Sequence, residues 1–212
     1  MNRTTFLVDG FNLYHSLKEA SRDLSGASTR WLDIRSLLRS YLPLVGGGAT
    51  LQEIYYFSAL ALHLDSDRPG HTLKHRSYID CLQASGVKIE LGRFKYKSVY
   101  CSTCARRTAH YEEKETDVAI SVRLMEVFQA DSTDAAVLVT GDTDLAPAVR
   151  TATRLFPSKQ VCFAFPFKRK NSELAKLVSC HFLMRAQMYA KHQFPDPYHL
   201  PSGRSISKPG TW

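Results

Sequence analysis

The segment VLVTGDTDLAP, Val137 to Pro147, decides how this chain is read. A run of apolar and β-branched residues breaks off at Gly141, and two carboxylates, Asp142 and Asp144, follow one residue apart. Short, almost fully apolar strands of the DAAVLVTG kind are those covered on both faces, as in parallel sheets. Pro147 fits only the first turn of a helix, so the helix DLAPAVRTATRLF begins close to Asp144.

The same alternation runs along the chain. TTFLVDG reads as a strand ending in a turn, and FNLYHSLKEASRDL as a helix with Leu13, Leu17, Ala20 and Leu24 on one face. WLDIRSLLRSYL is a second amphipathic helix, stopped by the glycines of PLVGGGA. LQEIYYFSALAL is a strand, HTLKHRSYIDCLQASG a helix with Gly86 as its C-cap, and VKIELGRFK a strand. Tyr96 to Tyr111 reads as an irregular basic stretch. ETDVAISVRLMEVFQA is a helix with Thr116 as N-cap, KQVCFAFP a strand, NSELAKLVS a short helix and CHFLMRAQM a last strand. Strands alternating with helices predict an α/β domain over residues 1–190, with a central, mainly parallel sheet, right-handed crossovers and helices on both faces. Residues 191–212, rich in proline and glycine, read as a loose tail or one docked on a partner.

At 212 residues and 44% hydrophobic, the chain is long and apolar enough for a sizeable core. No apolar run reaches the ~18 residues of a membrane span, and MNRTTFLVDGFN has no secretory apolar region, so a cytoplasmic protein with no membrane partner is expected. The five cysteines are scattered, apart from Cys101 and Cys104, unlike a secreted disulfide scaffold. A net charge of +8 suits a polyanionic partner, although a merely soluble basic protein would carry it too.

Sites in parallel α/β sheets form beyond the carboxyl ends of the strands. Asp9 ends the first strand, Asp142 follows the VLVT strand, Asp144 opens the helix behind it, and Asp117 starts another helix. Asp117, Asp142 and Asp144 each alone read equally well as a cap favoured by the helix dipole, worth ~0.3–1 kcal/mol. Two such charges about 4 Å apart repel by about 4 kcal/mol at an effective dielectric of 20, which exceeds the capping gain. Raised carboxylate pKa values or a hard divalent cation would offset that. Gly10 and Gly141 allow close backbone approach, and Asn12 either caps the helix or orients a ligand. Thr140 places a hydroxyl beside Asp142, and Lys114 stands near Asp117.

In order, VDGFNLYH, EEKETDVAISV, LVTGDTDLAPAV and FPFKRKNSELAKLV resemble the NYN-domain family of PIN-like ribonucleases, in its LabA-like branch, over about residues 4–185. The resemblance implies a Rossmann-like PIN fold, a divalent-metal site taking Mg²⁺ or Mn²⁺, and cleavage of RNA phosphodiester bonds by metal-activated water. Carried over by position, the acids are Asp9 with Asn12 beside it, Asp117, and the pair Asp142 and Asp144. Asp9 and Asp142 are expected as direct ligands, with Asp117 and Asp144 acting through water. The rival readings are a non-catalytic RNA-binding or regulatory module, and a phosphatase or DNA nuclease on the same rim.

CSTCARRTAH has zinc-knuckle character, with Cys101, Cys104 and His110 as candidate structural zinc ligands and His71, His75 or Cys81 as a fourth; two free cysteines on a loop are the other reading. Arg93, Lys95, Lys97, Arg106 and Arg107, interleaved with Phe94, Tyr96 and Tyr100, suit single-stranded RNA, or else guard an edge strand. Lys168, Arg169 and Lys170 form a basic turn that suits phosphate contact. A homodimer is compatible with the sequence. His15 and His181 read as packing or surface residues, and the chain has no G-x-S-x-G, P-loop or triad-like setting.

Overall fold

The computed structural model describes residues 2–210 and 212, with the backbone alone at Cys101. In chain order the elements are β1 (Asn2–Asp9), α1 (Gly10–Asp23), α2 (Ile34–Tyr41), β2 (Ala49–Ala59), α3 (His71–Ala84), β3 (Lys88–Cys101), β4 (Arg106–Lys114), α4 (Thr116–Gln129), β5 (Ala135–Val139), α5 (Ala146–Leu155), β6 (Gln160–Phe165), α6 (Ser172–Ala175), β7 (Cys180–Leu183), α7 (Ala186–Lys191), β8 (Tyr198–His199) and β9 (Ser205–Ile206). Seven strands form one sheet in the order β4-β3-β2-β1-β5-β6-β7, parallel throughout except for the β3–β4 pair.

The pleat sorts the apolar residues of the central strands. Phe6 and Val8 of β1 face one core with Ala135, Val137 and Val139 of β5, while Leu7, Ala136 and Leu138 face the other. On the first face pack Leu13 and Leu17 of α1, Leu37 of α2, Leu82 of α3 and Tyr189 of α7. On the second pack Ile120, Leu124 and Phe128 of α4, Val149 of α5 and Leu174 of α6. The expected parallel sheet with helices on both faces is therefore the observed fold, and β5 is buried along its whole length.

The chain leaves β1 toward β2 on one side and reaches β5 on the other, so the connections diverge between these two neighbours. That divergence opens a crevice beyond their carboxyl ends, where α/β sheets bind ligands.

Four sequence expectations change. The stretch from Tyr96 to Tyr111 is a regular hairpin, because β3 runs on past its pairing with β2 and turns back as β4, in register from Arg93↔Lys114 to Cys101↔Arg106. Its strands bury little, so the apolar alternation that marks a half-buried strand is missing from the sequence. CHFLMRAQM is strand only to Leu183; Ala186 and Tyr189 then turn inward on a helix. Residues 191–212 are no loose tail. Phe194 and Ile206 are buried, β8 and β9 form a small hairpin, and Trp212 packs edge-on against Trp31 and Tyr78. Lastly, two of the scattered cysteines meet: Cys162 and Cys180 are register partners on β6 and β7 and form a disulfide with Cα atoms 4.8 Å apart.

Candidate active site: a carboxylate cluster at the sheet's carboxyl rim

Asp9 is the last residue of β1 and only 5% exposed. Its Oδ1 accepts the Asn12 N–H at 3.0 Å, capping α1, and its Oδ2 accepts the Thr140 hydroxyl at 2.8 Å. The Thr140 Oγ1 in turn accepts the Asp142 N–H at 3.1 Å. Asn12 Oδ1 accepts the Gly141 N–H at 3.1 Å, so one amide ties α1 to the β5 turn. Gly141 has no room for a side chain: a Cβ there would lie deep inside contact distance of the Arg169 carbonyl oxygen. Gly10 is required likewise, because a Cβ would press on the Phe57 carbonyl and the Tyr56 ring.

Asp142 follows β5, and its Oδ1 accepts the Asp144 N–H at 3.0 Å, capping the 3₁₀ turn that leads into α5. Asp117 stands in the first turn of α4. The expected N-cap at Thr116 is instead the first helical residue. Glu115 precedes it in a left-handed conformation, and Glu113 Oε1 accepts the Thr116 N–H and hydroxyl.

Each of Asp9, Asp117 and Asp142 offers a carboxylate oxygen within 4.8 Å of the others'. Burial pushes the Asp9 carboxyl above the ordinary range, and the charges of Asp142 and Glu113 add to that, against the two hydrogen bonds it accepts. Asp117 is pushed up to about 6, first by burial and then by Asp142, Asp9, Glu113 and Asp144. Among the described residues no lysine or arginine forms an ion pair with any of these four aspartates. The opposite end of the sheet makes the contrast. There Asp134 is paired with Arg3 at 2.7 Å and Lys159 at 3.4 Å, and its carboxyl falls well below the usual range. Acids at one end of the sheet are paired with cations, and those at the other end, among the described residues, are not.

The cluster floors a cleft of about 200 Å³ whose walls include Asn12, Glu113 and Arg169. Sequence reasoning missed Glu113. Its only signal was strand parity, since opposed residues of an antiparallel pair share a face, and that required knowing the hairpin. Asp144 is exposed and its carboxylate lies outside the close group, although its N–H is bonded to Asp142 and its charge acts on Asp117. Arg169 lines the cleft, held by Glu19 at 2.7 Å, while its buried Nε finds no partner among the described residues. Lys168 points to Asp23, and Lys170 is exposed. Lys114 is turned away from the cleft that its neighbour Glu113 lines, and pairs with Glu112 at 3.0 Å.

The hairpin continues the direction of β3 beyond the rim, and eight residue steps from Arg93 to Cys101 extend it by about 26 Å. Phe94, Tyr96 and Tyr111 share the face of Glu113, and Phe94 meets Phe11 of α1 at 5.6 Å. Arg93, Lys95 and Lys97 lie on the other face, with His110 and Glu112. Near the tip, Arg107 opposes Tyr100 and Arg106 opposes Cys101. His110 is opposite Lys97, four pairs back from the end, and its Nε2 contacts Glu112 at 2.9 Å. Cys104 is free and exposed in the turn, and the Cys101 side chain lies outside the described residues. Of the suggested fourth ligands, Cys81 is fully buried on α3. Among the described residues, the aspartate trio is the one group of three or more such side chains arranged to hold a metal.

The class that these features define is a doubly wound α/β domain with clustered carboxylates at its switch point. The family follows: the model of the NYN domain matches residues 3–184, and the chain belongs to that family, a member of the PIN-like nuclease fold. A crystal structure of a protein of unknown function from Vibrio parahaemolyticus has the same fold, with a TM-score of 0.58 and 17% identity over 87% of this chain and 93% of that one. No curated protein matches the chain. Among the described residues, no helix is long and apolar enough to cross a membrane.

Proposed function

We propose that the protein is a divalent-metal-dependent endoribonuclease of the LabA-like branch, acting on single-stranded RNA in the cytoplasm. The observation that carries this reading is the convergence of Asp9, Asp117 and Asp142, three carboxylates from separate parts of the chain with no cation paired to them among the described residues. An all-oxygen donor set with excess negative charge fits a hard cation such as Mg²⁺ or Mn²⁺, and these three residues would hold it. When bound, such an ion supplies Lewis-acid charge stabilisation and lowers the pKa of water at the scissile phosphate.

The remaining work falls to the chain. Thr140 and the Asn12 N–H each donate to one oxygen of Asp9, which fixes its orientation before any ligand arrives. Asn12 locks the Gly141 turn, so Asp142 keeps its place relative to Asp9. Arg169, whose side chain lines the cleft wall, would supply a positive charge to a non-bridging phosphate oxygen. The aromatic face of the hairpin, Phe94, Tyr96 and Tyr111, offers stacking surfaces to unpaired bases, and Arg107 extends positive charge along it. Arg106 and Lys170 are exposed cations that would add to the field drawing RNA in.

The test is cleavage of end-labelled and circular single-stranded RNA with Mg²⁺ or Mn²⁺, against a chelator control and Asp142→Asn. Cutting of the circle, abolished by chelation and by the substitution, supports the proposal. RNA binding without cutting in any metal would replace it with the binding-module reading. Hydrolysis confined to DNA or a small phosphate ester would replace the substrate.

A further inference from the structure

Beside the acidic cleft lies a second, larger cavity of about 410 Å³, which the mechanism above does not use. The two share a wall, since Phe11 and His15 line both. One face of α1 supplies that wall, with Phe11, Tyr14, His15 and Lys18 at helical spacing. The far side comes from α3 and the turn before it, through Arg68, His71, Lys74 and His75, and Phe94 of the hairpin helps to close the mouth.

The chemistry of this cavity is the reverse of its neighbour's. Its lining includes Lys18, Arg30, Arg68 and Lys74 and, among the described residues, not one carboxylate. Lys18, Arg68 and Lys74 form no ion pair among the described residues. Lys18 instead lies over the Tyr14 ring, 5.6 Å from its centre. His71 lines this cavity, and its buried Nδ1 has no hydrogen-bond partner among the described residues. His75 is neutral at physiological pH, pushed down to about 4 by burial and by His71, so it can both give and accept a hydrogen bond. Aromatic walls, a few polar groups and a cationic rim, in a volume within the usual 300–1,000 Å³ range of ligand sites, describe a receptor for a flat heterocycle that carries an anion.

We propose that this cavity is a nucleotide subsite: it holds one nucleotide of the RNA strand adjacent to the scissile phosphodiester, with the base against Phe11 and Phe94 and a phosphate against Lys18, Arg68 and Lys74. The assignment deepens the nuclease reading and rests on it for the strand. A strand crossing the shared Phe11 wall would have one phosphate over the carboxylates and the next unit in the cavity. The cavity would thereby select which nucleotide flanks the cut.

The test separates this from the nuclease reading by measuring binding without catalysis. Full-length protein in chelator is titrated calorimetrically with the 5′-monophosphates of adenosine, guanosine, cytidine and uridine, and with inorganic phosphate. The expected result is that at least one nucleotide binds better than phosphate, that a short single-stranded RNA displaces it, and that Arg68→Ala and Lys74→Ala each weaken it about tenfold while keeping the wild-type thermal midpoint. Arg68 is exposed and Lys74 only partly buried, so neither change threatens the fold. If no monophosphate binds at millimolar concentration, or if phosphate binds as well as any nucleotide, the subsite is refuted whether or not RNA is cut. If a nucleotide binds but RNA does not displace it, the cavity is a separate effector site and the strand assignment is wrong. Where the wild type cleaves, Arg68→Ala is expected to raise KM and flatten the base preference beside the cut with little change in kcat.

Discussion

Asp117→Asn should make the metal-free protein more stable, although it removes a residue of the proposed active site. The Asp117 carboxyl rises from its ordinary 3.8 to about 6, which corresponds to about 3 kcal/mol of penalty on its ionised form. The group is half-exposed, and solvent screening reduces that to roughly 1–2 kcal/mol. Against it stands the loss of a carboxylate in the first turn of α4, about 0.3–1 kcal/mol. No hydrogen bond to the Asp117 carboxylate is lost among the described residues. The net expectation is roughly 1 kcal/mol of stabilisation near pH 7.5, a midpoint rise of about 2–4 °C for a chain of this length. The sign with pH follows from the raised folded-state value. Above about pH 6 both folded and unfolded states are ionised and the whole penalty is felt. As pH falls through 6 the folded protein takes up a proton and the penalty fades, and below about 4 it is gone. The variant's advantage should therefore hold from pH 7.5 to about pH 6 and shrink from there to pH 4. Added Mn²⁺ should stabilise the wild type, by about 2.7 kcal/mol at a hundred times the dissociation constant, and the variant much less. Thermal melts of both proteins across this pH range, in chelator and in Mn²⁺, read all of this. A variant that is less stable at pH 7.5, or a difference that does not move with pH, would refute the account of uncompensated charge; equal stabilisation by Mn²⁺ would refute the trio as the ion's site.

The other predictions concern activity and packing. Asp142→Asn should lower RNA cleavage at least about a hundredfold without unfolding the chain, as read by initial rates alongside circular dichroism. Gly141→Ala should cost about 1–3 kcal/mol in urea unfolding and depress cleavage, because its methyl group must push the Arg169 carbonyl away from the rim. Phe194→Ala should cost about 3–5 kcal/mol, since this buried ring packs on Trp31, Tyr78 and Tyr198; an unchanged midpoint would show that residues 191–212 are not part of the core.

What could be read from the sequence, and what could not, divides along burial. β1 and β5 are sheathed on both faces, so their apolar runs are unbroken and their ends are marked by Asp9 and Asp142. A strand end, a glycine and a carboxylate are all local features, and the acids at the rim were legible for that reason. The hairpin offered no such signal. β3 beyond Gly92 answers to no core, so cations occupy one of its faces and aromatic residues the other, a pattern that reads equally well as loop. The tail failed differently. Phe194, Ile206 and Trp212 anchor it at intervals too wide for either period, among prolines and glycines that mark disorder when no anchor is recognised. Cys162 and Cys180 could be paired only once β6 and β7 were known to be neighbours.

The same division explains why the cationic cavity went unseen while the acidic cleft did not. Asp9, Asp117 and Asp142 sit at the ends or starts of regular elements, where topology alone brings them together. Lys18, Arg68 and Lys74 come from helix and loop positions where a lone cation is ordinarily a solvated surface residue. Only the packing of α3 opposite α1 turns them toward one space, and only the absence of any carboxylate in that space separates it from ordinary surface. A rim that gathers negative charge beside a cavity that gathers positive charge has a direct electrostatic consequence. A bare polyanion is repelled by the first and drawn to the second, so RNA should reach the acids productively only when a divalent ion has reversed their sign. RNA binding measured in chelator should accordingly survive Asp117→Asn and strengthen with it, whereas Lys74→Ala should weaken binding with or without metal; the opposite ranking would mean that the strand does not cross Phe11 from one cavity to the other.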